Sequence, residues 1–418
     1  MTHSVNADVR REVLLCAFPL IAMMVISTAA AASNGTHHIT IQKSTEGKNP
    51  TLAITEFRGP KSIKERFVRI LRTADWFKLV SDAKESAYQL RAGFMQNKNQ
   101  AELEFALNTP AADGAEITAD VSRSGPKASH QVLYRAVDTL IERVFDQPGP
   151  CVSRIAFVAP HDEGKEVFSS TFDLSDIQQL TNNGSISTEP SWGSEGRYLV
   201  YTLYRNHRTH IVLSDIQKDR QRVLVSGSGL KSGADLDRKN NRLVLSMSTE
   251  GQVDLFIKDL KKGRYNRLTR NGYVESSPCW SPDKKRICYV SDISGSPQLY
   301  VIPARGGQSQ VLVNEYAQTV SPDWSEVSGQ VIFSARHEGQ YVLAKITPGS
   351  GEDPQIVISE PGDWESPSWG PDGRHVICTH TQANQTRIVI VDTRHGTVIP
   401  LTKRRDFALP VWTKTRTR

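Results

Sequence analysis

A tryptophan followed seven residues later by an apolar strand recurs along the C-terminal part of the chain at a nearly constant interval. In "SSPCWSPDKKRICYVSD", Ser276 to Asp292, a Pro-Asp pair suited to a tight turn separates the tryptophan from alternating apolar residues, which predicts a β-hairpin. The equivalent anchor positions follow one another in steps of 44, 44, 44, 45 and 43 residues: Trp192, Leu236, Trp280, Trp324, Trp369 and Trp412. A period this regular predicts a repeat architecture.

Each repeat continues with two more predicted strands, such as "VDLFIKDL" and "RYNRLTRNG" after Leu236. Four short strands in a repeat of about 40–50 residues are typical of a β-propeller blade. A sixth copy begins at Ile155 without an anchor upstream, whereas Trp412 is an anchor without strands after it. We therefore expect a mainly β protein in which residues 153–418 form a six-bladed β-propeller and the C-terminal strand closes the first blade.

The chemistry-bearing residues inside the repeats have structural interpretations. The tryptophans are predicted to lie between neighbouring blades as core, and Asp283 and Asp372 to be turn residues rather than catalytic carboxylates. Cys279 and Cys288 flank one hairpin turn almost symmetrically, so they face each other either as a disulfide or as two small buried residues. No cysteine or histidine spacing typical of a metal site occurs, so neither a metal nor a cofactor is expected.

The N-terminus has the pattern of an export signal. Arg10 and Arg11 precede an uncharged stretch from Val13 to Ala32 that ends in small residues, so we expect residues 1–32 to be a signal peptide cleaved after Ala32. An uncleaved membrane anchor is the alternative, and the arginine pair leaves the twin-arginine export route open. Cleavage would leave an exported protein with no direct membrane insertion.

The basic character of the chain does not predict a nucleic-acid partner. The net charge is +6 and the pI is near 9.0, but the charges are scattered across the repeats rather than clustered. The C-terminal "KTRTR" is interpreted as a solvated tail. Because export also removes the protein from nucleic acid, we expect no nucleic-acid partner.

Residues 50–147 predict a small α/β domain before the propeller. Strands are expected in "PTLAITEF", "WFKLV", "AYQLRAGF", "AELEFAL" and "AEITADV". Two amphipathic helices are expected, one in "SIKERFVRIL" and one that begins near Ser129, whose side chain is predicted to cap it. Two helices on a mixed sheet make a domain of this size, and residues 148–152, starting within "DQPGP", are the predicted linker.

Residues 33–49, "SNGTHHITIQKSTEGKN", are polar and short of core residues, which predicts a flexible partner-binding segment. Within it, "HITIQ" alternates well enough to add as a strand to the sheet edge of a partner. His37 and His38 are adjacent and would point in different directions on a strand. They are therefore interpreted as surface residues rather than metal ligands.

The whole arrangement resembles the TolB family, the periplasmic component of the Tol-Pal system. The residues that carry the resemblance are the "PxWSPD" repeats, "AITEF" before the first helix and "RIAFV" after the linker. The resemblance implies a non-enzymatic, monomeric scaffold of the periplasm, without catalytic residues, that supports outer-membrane integrity and constriction at cell division. The second blade departs from the family pattern, because "ADL", ending at Leu236, replaces Pro-x-Trp.

The resemblance also implies two partner-binding surfaces whose states are coupled. A TolA-like inner-membrane protein is expected on the segment Ser33 to Glu46, with these contact residues: His37, His38, Ile39, Thr40, Ile41 and Gln42. A Pal-like peptidoglycan-associated lipoprotein is expected on the propeller face built from the loops before each anchor strand. The matching residues there are Glu189, Ser232, Gly233, Glu275, Ser276, Thr319 and Glu365.

Two other classes of function compete with a protein scaffold. An exported hydrolase of the prolyl-oligopeptidase kind would need a Gly-x-Ser-x-Gly elbow, which the sequence lacks. A propeller that binds a small ligand or a polysaccharide remains an alternative, because a channel mouth is a general binding surface and the fold does not fix the function.

Overall fold

The computed structural model describes residues 48–109, 116–162, 164–193, 196–237, 239, 241–249, 251–402 and 406–413, all within one compact unit. The predicted signal peptide and residues 33–47 of the predicted partner-binding segment lie outside the described residues. The predicted contact residues His37, His38, Ile39, Thr40, Ile41 and Gln42 lie there too. Neither described helix combines the length and apolar character that crossing a bilayer requires.

The N-terminal domain is a five-stranded mixed sheet with two helices. The strand order is β2-β1-β3-β4-β5, in which β1 runs parallel to β2 and β3 and the other pairs are antiparallel. The elements are β1 Thr51–Arg58, α1 Lys61–Ala74, β2 Lys78–Val80, β3 Tyr88–Gln96, β4 Gln100–Asn108, β5 Glu116–Ser124 and α2 Ala128–Phe145.

The two helices bury the apolar faces that the sequence predicts. In α1, Phe67 and Ile70 are buried, and in α2, Val137, Leu140 and Ile141 are buried. Helix α2 packs on β4 and β5 and against α1. The prediction of a small α/β domain with a mixed sheet and two helices is therefore confirmed.

The start of α2 corrects one prediction. Ser129 is the second residue of the helix and does not cap it; the cap position is Lys127, in a left-handed conformation with φ 62° and without a side-chain cap hydrogen bond. The backbone carbonyl of Lys127 accepts hydrogen bonds from the N–H groups of His130 (2.9 Å) and Gln131 (3.0 Å). The turn before the helix thus starts it two residues earlier than a cap at Ser129 would.

After α2 the chain forms six four-stranded antiparallel units. Units 1 and 2 belong to one eight-stranded sheet, joined by a single parallel bridge between Lys165 and Ile186, and the other four are separate sheets. Unit 1 is β29 Ala408–Trp412, β6 Arg154–His161, β7 Gly164–Thr171 and β8 Gln178–Gln179, and unit 2 is β9 Ile186–Trp192, β10 Tyr198–Arg205, β11 Arg208–Asp215 and β12 Arg220–Val225. Unit 3 is β13 Lys231–Asp237, β14 Arg242–Thr249, β15 Gln252–Asp259 and β16 Tyr265–Arg267, and unit 4 is β17 Glu275–Trp280, β18 Arg286–Ser291, β19 Gln298–Pro303 and β20 Gln310–Val313. Unit 5 is β21 Thr319–Trp324, β22 Val331–His337, β23 Gln340–Ile346 and β24 Gln355–Ile358, and unit 6 is β25 Asp363–Trp369, β26 His375–Gln382, β27 Gln385–Asp392 and β28 Val398–Pro400.

The first strands of the units form the inside of a closed ring. Each contacts the first strand of the next unit, in the cyclic order β29, β9, β13, β17, β21, β25 and back to β29. The antiparallel order places the connections into the first strands and the loops between second and third strands at one end, called the mouth face here. The loops between first and second strands and between third and fourth strands lie at the opposite end, the base face.

The C-terminal strand completes the first unit, as the sequence predicts. Strand β29 pairs antiparallel with β6, with Trp412 opposite Ile155. The Trp412 backbone N–H donates to Ser368 Oγ in unit 6 (3.1 Å), and its indole Nε1–H donates to Ser153 Oγ (2.7 Å). A Cβ atom added at Gly370 would lie 3.1 Å from the Trp412 ring, so the glycine permits this close approach. Because β29 pairs with β6, the inner edge of unit 1 is not left unpaired.

The anchor residues are core between neighbouring units, which confirms the structural interpretation of the repeat. Trp280 is fully buried among Val244 and Ile257 of unit 3 and Ile287 of its own unit. Its backbone N–H donates to Asp235 Oδ2 (2.9 Å), so the same residue ties two first strands together. The anchor at Leu236 fills the matching place between units 2 and 3 by apolar contact alone.

Cys279 and Cys288 face each other across β17 and β18, in paired register. Both are buried, and the structure holds both as thiols. The second of the two interpretations, two small buried residues, therefore describes the pair in this structure.

Lys231 is a buried lysine that supports the connection between units 2 and 3. It is 1% exposed, and its ammonium group donates to the backbone carbonyls of Gly227 (2.7 Å), Ser228 and Gly229 (2.9 Å). We expect Lys231→Met to lower the free energy of unfolding by about 1–3 kcal/mol, because the carbonyls lose a charged donor. Denaturant unfolding would measure the effect against Lys218→Met, which replaces an exposed lysine of the neighbouring unit 2. Equal stability of the two variants would show that the cradle contributes nothing.

Candidate functional site

The inner wall of the ring carries six equivalent β-bulges. The pairing between first and second strands shifts register in every unit, and at each shift one residue has a left-handed backbone with φ between 49° and 56°. These residues are Glu189, Gly233, Ser277, Ser321, Ser366 and Leu409. Such a conformation is costly for residues other than glycine and persists where the surrounding structure enforces it, often at binding sites. The bulges therefore mark the channel as a candidate site.

Proline follows the left-handed residue in five units, and Ala234 follows it in unit 3. The bulge thus survives where the sequence departs from Pro-x-Trp, because Gly233 adopts the conformation at φ 56° without a side-chain penalty. A cavity of about 230 Å³ lies between the bulges, lined mainly by these residues and the prolines and anchor residues after them. Its wall offers mainly apolar proline surface and serine hydroxyls.

Two aspartates of the channel wall are already used in packing. Asp235 accepts hydrogen bonds from Ser191 Oγ (3.0 Å) and from the Trp280 backbone N–H (2.9 Å). Asp323 accepts them from Ser368 Oγ (3.2 Å) and from the Trp369 backbone N–H (2.8 Å). Both carboxylates join first strands of neighbouring units, so their charge is committed to the ring rather than to a reacting group.

The mouth face exposes large apolar side chains between units 2 and 4. Six residues of its strand ends and loops are 38–49% exposed: Ile186, Tyr204, Leu230, Tyr273, Val274 and Ile293. The Val274 N–H donates to Asp292 Oδ1 (2.8 Å), which ties the connection into unit 4 to the loop between its second and third strands. Grouped exposed apolar residues are typical of protein-binding surfaces. The sequence-based prediction of contacts on this face contains no large apolar residue and therefore misses this set.

The predicted mouth residues divide into accessible and buried ones. Glu189 and Gly233 line the channel cavity, and Ser232, Ser276 and Glu365 are partly exposed at or beside the bulges. Glu189 Oε2 accepts hydrogen bonds from Thr202 Oγ1 (2.8 Å) and from the Gly233 N–H (2.9 Å), which joins units 2 and 3. Burial and the charge of Asp363 raise the pKa of Glu365. These five residues stay predicted contacts.

The prediction that Glu275 and Thr319 contact a partner is wrong, because both side chains are fully buried and offer no surface. Glu275 accepts hydrogen bonds from Asn271 Nδ2 (2.8 Å) and from Thr269 Oγ1 (3.2 Å), and burial raises the pKa of its carboxyl. Thr319 Oγ1 donates to Gln298 Oε1 (2.9 Å) and accepts from the Leu299 N–H (2.9 Å). Both side chains fasten the start of a first strand instead.

The base face holds a second concentration of polar groups, where the α/β domain meets unit 6. Arg374 is bidentate to Asp392, with Nε–Oδ1 3.1 Å and NH2–Oδ2 2.6 Å. The same guanidinium donates to Asn49 Oδ1 (2.5 Å) and lies 4.6 Å from the centre of the Trp76 ring. Burial alone would raise the pKa of Asp392, but the Arg374 hydrogen bonds and charge outweigh burial and hold it well below its ordinary value.

Other side chains extend this contact between the two domains. The Trp76 Nε1–H donates to Asp372 Oδ2 (3.3 Å), which also lies 2.6 Å from His375 Nδ1. Asp372 also caps its own turn, because its Oδ1 accepts the His375 backbone N–H (3.0 Å). It is therefore a turn residue, as predicted, and in addition contacts the α/β domain through Trp76. At unit 1, the Tyr134 hydroxyl donates to Asp173 Oδ1 (2.9 Å), and burial raises the pKa of Tyr134 to about 12.

Comparison with known proteins agrees with this architecture. Residues 141–416 match the family described as the TolB beta propeller domain, and that range covers more than half of the chain. The chain belongs to the TolB family. The match begins within α2 and runs through the closing strand β29, so it includes all six units of the TolB propeller described above.

Individual relatives match shorter stretches of the chain than the family does. The "Protein TolB homolog" of Chlorobium luteolum (strain DSM 273 / BCRC 81028 / 2530) is 28% identical over 158 residues, 38% of this chain and 36% of the relative. The "Tol-Pal system protein TolB" of Desulfosudis oleivorans (strain DSM 6200 / JCM 39069 / Hxd3) is 29% identical over 146 residues, 35% of this chain and 33% of the relative. The chain therefore spans about a third of the length of these two TolB relatives.

A solved structure supports the fold over nearly the whole chain. The crystal structure of TolB from Acinetobacter baumannii has a TM-score of 0.80, covering 88% of this chain and 97% of the other at 18% identity. At that identity the likeness bears on the fold alone. It includes more of the chain than the propeller match does, which agrees with a TolB fold that has an α/β domain ahead of its propeller.

Proposed function

We propose that this TolB-family chain is a non-enzymatic scaffold of the Tol-Pal envelope system in the periplasm. The observation that carries the proposal is the mouth face, where the exposed apolar residues of units 2 to 4 lie on one side of a channel lined by six bulges. Relatives named as Tol-Pal system proteins support the assignment to that system. The commitment of the channel aspartates to hydrogen bonds between strands supports a role without catalysis.

The mouth face is the proposed site for a Pal-like peptidoglycan-associated lipoprotein. Burial of apolar side chains such as Val274 and Tyr273 would supply affinity, and the partly exposed Glu365 and Ser276 would supply polar contacts at the rim. The segment Ser33 to Glu46 is the proposed site for a TolA-like inner-membrane protein. Coupling between the two sites would support outer-membrane integrity and constriction at cell division.

The lipoprotein site can be tested with two matched substitutions. Val274 on the mouth face is 49% exposed, and Val311 on the outer strand β20 is 50% exposed. We expect Val274→Asp to weaken binding of the Pal-like soluble domain about tenfold or more, because a carboxylate would be buried without a partner. Val311→Asp should leave the affinity within about twofold, because its exposed side chain lies outside the interface. Calorimetric titration of the chain from Ser33 onward measures both.

Deletion of Ser33 to Glu46 tests the coupling in the same titration, and we expect it to change the affinity for the lipoprotein domain. Equal binding by the Val274→Asp variant and the unmodified chain would place the lipoprotein elsewhere. Absence of binding by the folded, unmodified chain would contradict the Pal assignment and favour the alternative of a small ligand or a polysaccharide. Circular dichroism of each variant provides the folding control.

A further inference from the structure

Three potential metal ligands from both domains converge at the base face. Asp75 follows the C-terminus of α1, His375 begins β26 and Asp392 ends β27, and one ligand atom from each lies within 4.8 Å of the others. Asp75 and His375 are separated by 300 positions in the sequence, so no local spacing motif could have shown the cluster. The cluster is remote from the mouth face and plays no part in the proposed function.

Two polar atoms in the cluster are buried and have no hydrogen-bond partner among the residues that the structure describes. They are His375 Nε2 and Asp75 Oδ2. His375 is 1% exposed, and its other ring nitrogen, Nδ1, lies 2.6 Å from Asp372 Oδ2. Burying a polar group without a partner costs about 1–3 kcal/mol of folding free energy. The geometry therefore favours an occupant that binds both atoms. A carboxylate only accepts, so Nδ1 is the donor towards Asp372 and Nε2 is the ring nitrogen left to bind an occupant.

The charges of the cluster point to a cation as that occupant. Three aspartates, Asp75, Asp372 and Asp392, contact one arginine, Arg374. The Asp392 carboxylate pairs with the guanidinium, the Asp75 backbone carbonyl accepts from the guanidinium (3.4 Å), and Asp372 Oδ1 accepts the Arg374 backbone N–H (3.1 Å). Apart from the histidines, these four side chains carry three negative charges and one positive charge, an excess of two negative charges. Lys345 and Arg394 line the neighbouring cleft of about 540 Å³, and the Lys345 ammonium is engaged by the Thr393 carbonyl at 3.1 Å. One divalent cation would balance the buried excess.

We propose that Asp75, His375 and Asp392 form a binding site for a divalent transition-metal ion, with Zn²⁺ the best match. One imidazole nitrogen and two carboxylate oxygens are a ligand set that Zn²⁺ accepts, with water in the fourth position. The Asp372 carboxylate on His375 Nδ1 corresponds to the outer carboxylate that orients metal-binding histidines. Because Asp75 comes from the α/β domain and the other two from the propeller, the ion would fasten the two domains together.

The test is titration of the full chain with ZnCl₂ after chelator treatment and dialysis. We expect one Zn²⁺ per chain, a rise in melting temperature with added Zn²⁺, and at least tenfold weaker binding for Asp75→Asn and for His375→Gln. Asp372→Asn, which removes the charge of the orienting carboxylate and leaves the three proposed ligands in place, should weaken binding by about 10–100-fold. Co²⁺ in place of Zn²⁺ should give visible absorption bands that change on His375→Gln.

Two controls separate this site from other histidines of the chain. His37→Gln with His38→Gln removes the adjacent pair in the N-terminal segment, and His161→Gln removes a partly exposed histidine beside Asp162. Both should bind Zn²⁺ as the unmodified chain does. Loss of binding in a control with full binding in Asp75→Asn, or no saturable binding at all, would overturn the proposal. Asp75→Asn keeps the side-chain shape, so it decides the question if His375→Gln does not fold.

Discussion

Replacing Trp412 with alanine is expected to lower the free energy of unfolding by about 3–5 kcal/mol, the loss typical of truncating a buried aromatic residue. The tryptophan is 1% exposed, and it lies on β29, the strand that closes the ring. It also removes the indole donor to Ser153 Oγ, which is buried at 4% exposure. Urea or guanidinium unfolding, followed by far-ultraviolet circular dichroism, measures the change in free energy.

Two further variants divide this loss into its parts. Trp412→Phe keeps most of the apolar volume and removes the hydrogen bond to Ser153, so it should cost clearly less than alanine. Val223→Ala, at a residue of β12 that is 52% exposed, should have little effect on the free energy of unfolding. If Trp412→Ala were as stable as Val223→Ala, ring closure by β29 would not be important for the stability of the propeller.

The sequence predicts the propeller well because every repeat solves the same packing problem. An anchor residue must fill the space between two units, and the next strand must follow seven residues after the anchor. The constraint therefore reappears at a fixed period. The closing strand follows from the same periodicity, since Ile155 lacks an anchor and Trp412 lacks following strands. Even Leu236, which breaks the pattern, occupies the predicted place between units 2 and 3.

The candidate site is harder to predict, because exposure depends on contacts between distant residues. Glu275 is a charged residue at the start of a first strand, which predicts an exposed contact. In the structure, Thr269, Asn271 and Ser291 hydrogen-bond to its carboxylate, which is buried. Position relative to the repeat therefore predicts the face on which a residue lies but not whether its side chain points outward. Nor does any periodic signal report the base-face cluster, since Asn49 and Asp75 of one domain meet Arg374 of the other.

Arg374→Ala is the second large effect we expect, a loss of about 3–5 kcal/mol of unfolding free energy. The reason is that the variant leaves Asp392, which is fully buried, without its bidentate partner, and also leaves the Asn49 amide oxygen and the Trp76 ring without their contacts with the guanidinium. Arg197→Ala is the matched control. Its pair with Asp215 has the same geometry at the same place in unit 2, with Nε–Oδ1 3.0 Å and NH2–Oδ2 2.7 Å, but is partly exposed.

The two arginine pairs should differ because a solvated ion pair contributes little, whereas a buried carboxylate that loses its partner is costly. The pH dependence gives a second readout. The pKa of Asp392 is lowered on folding from an ordinary value of 3.8, so its ion pair stabilises the fold above about pH 4, and this contribution is lost as the pH falls below that value. Arg374→Ala should therefore flatten the acid side of the stability profile, and Arg197→Ala should leave that contribution intact. Equal losses in the two variants at pH 7 would mean that contact with the α/β domain adds nothing to the strength of the Arg374 pair.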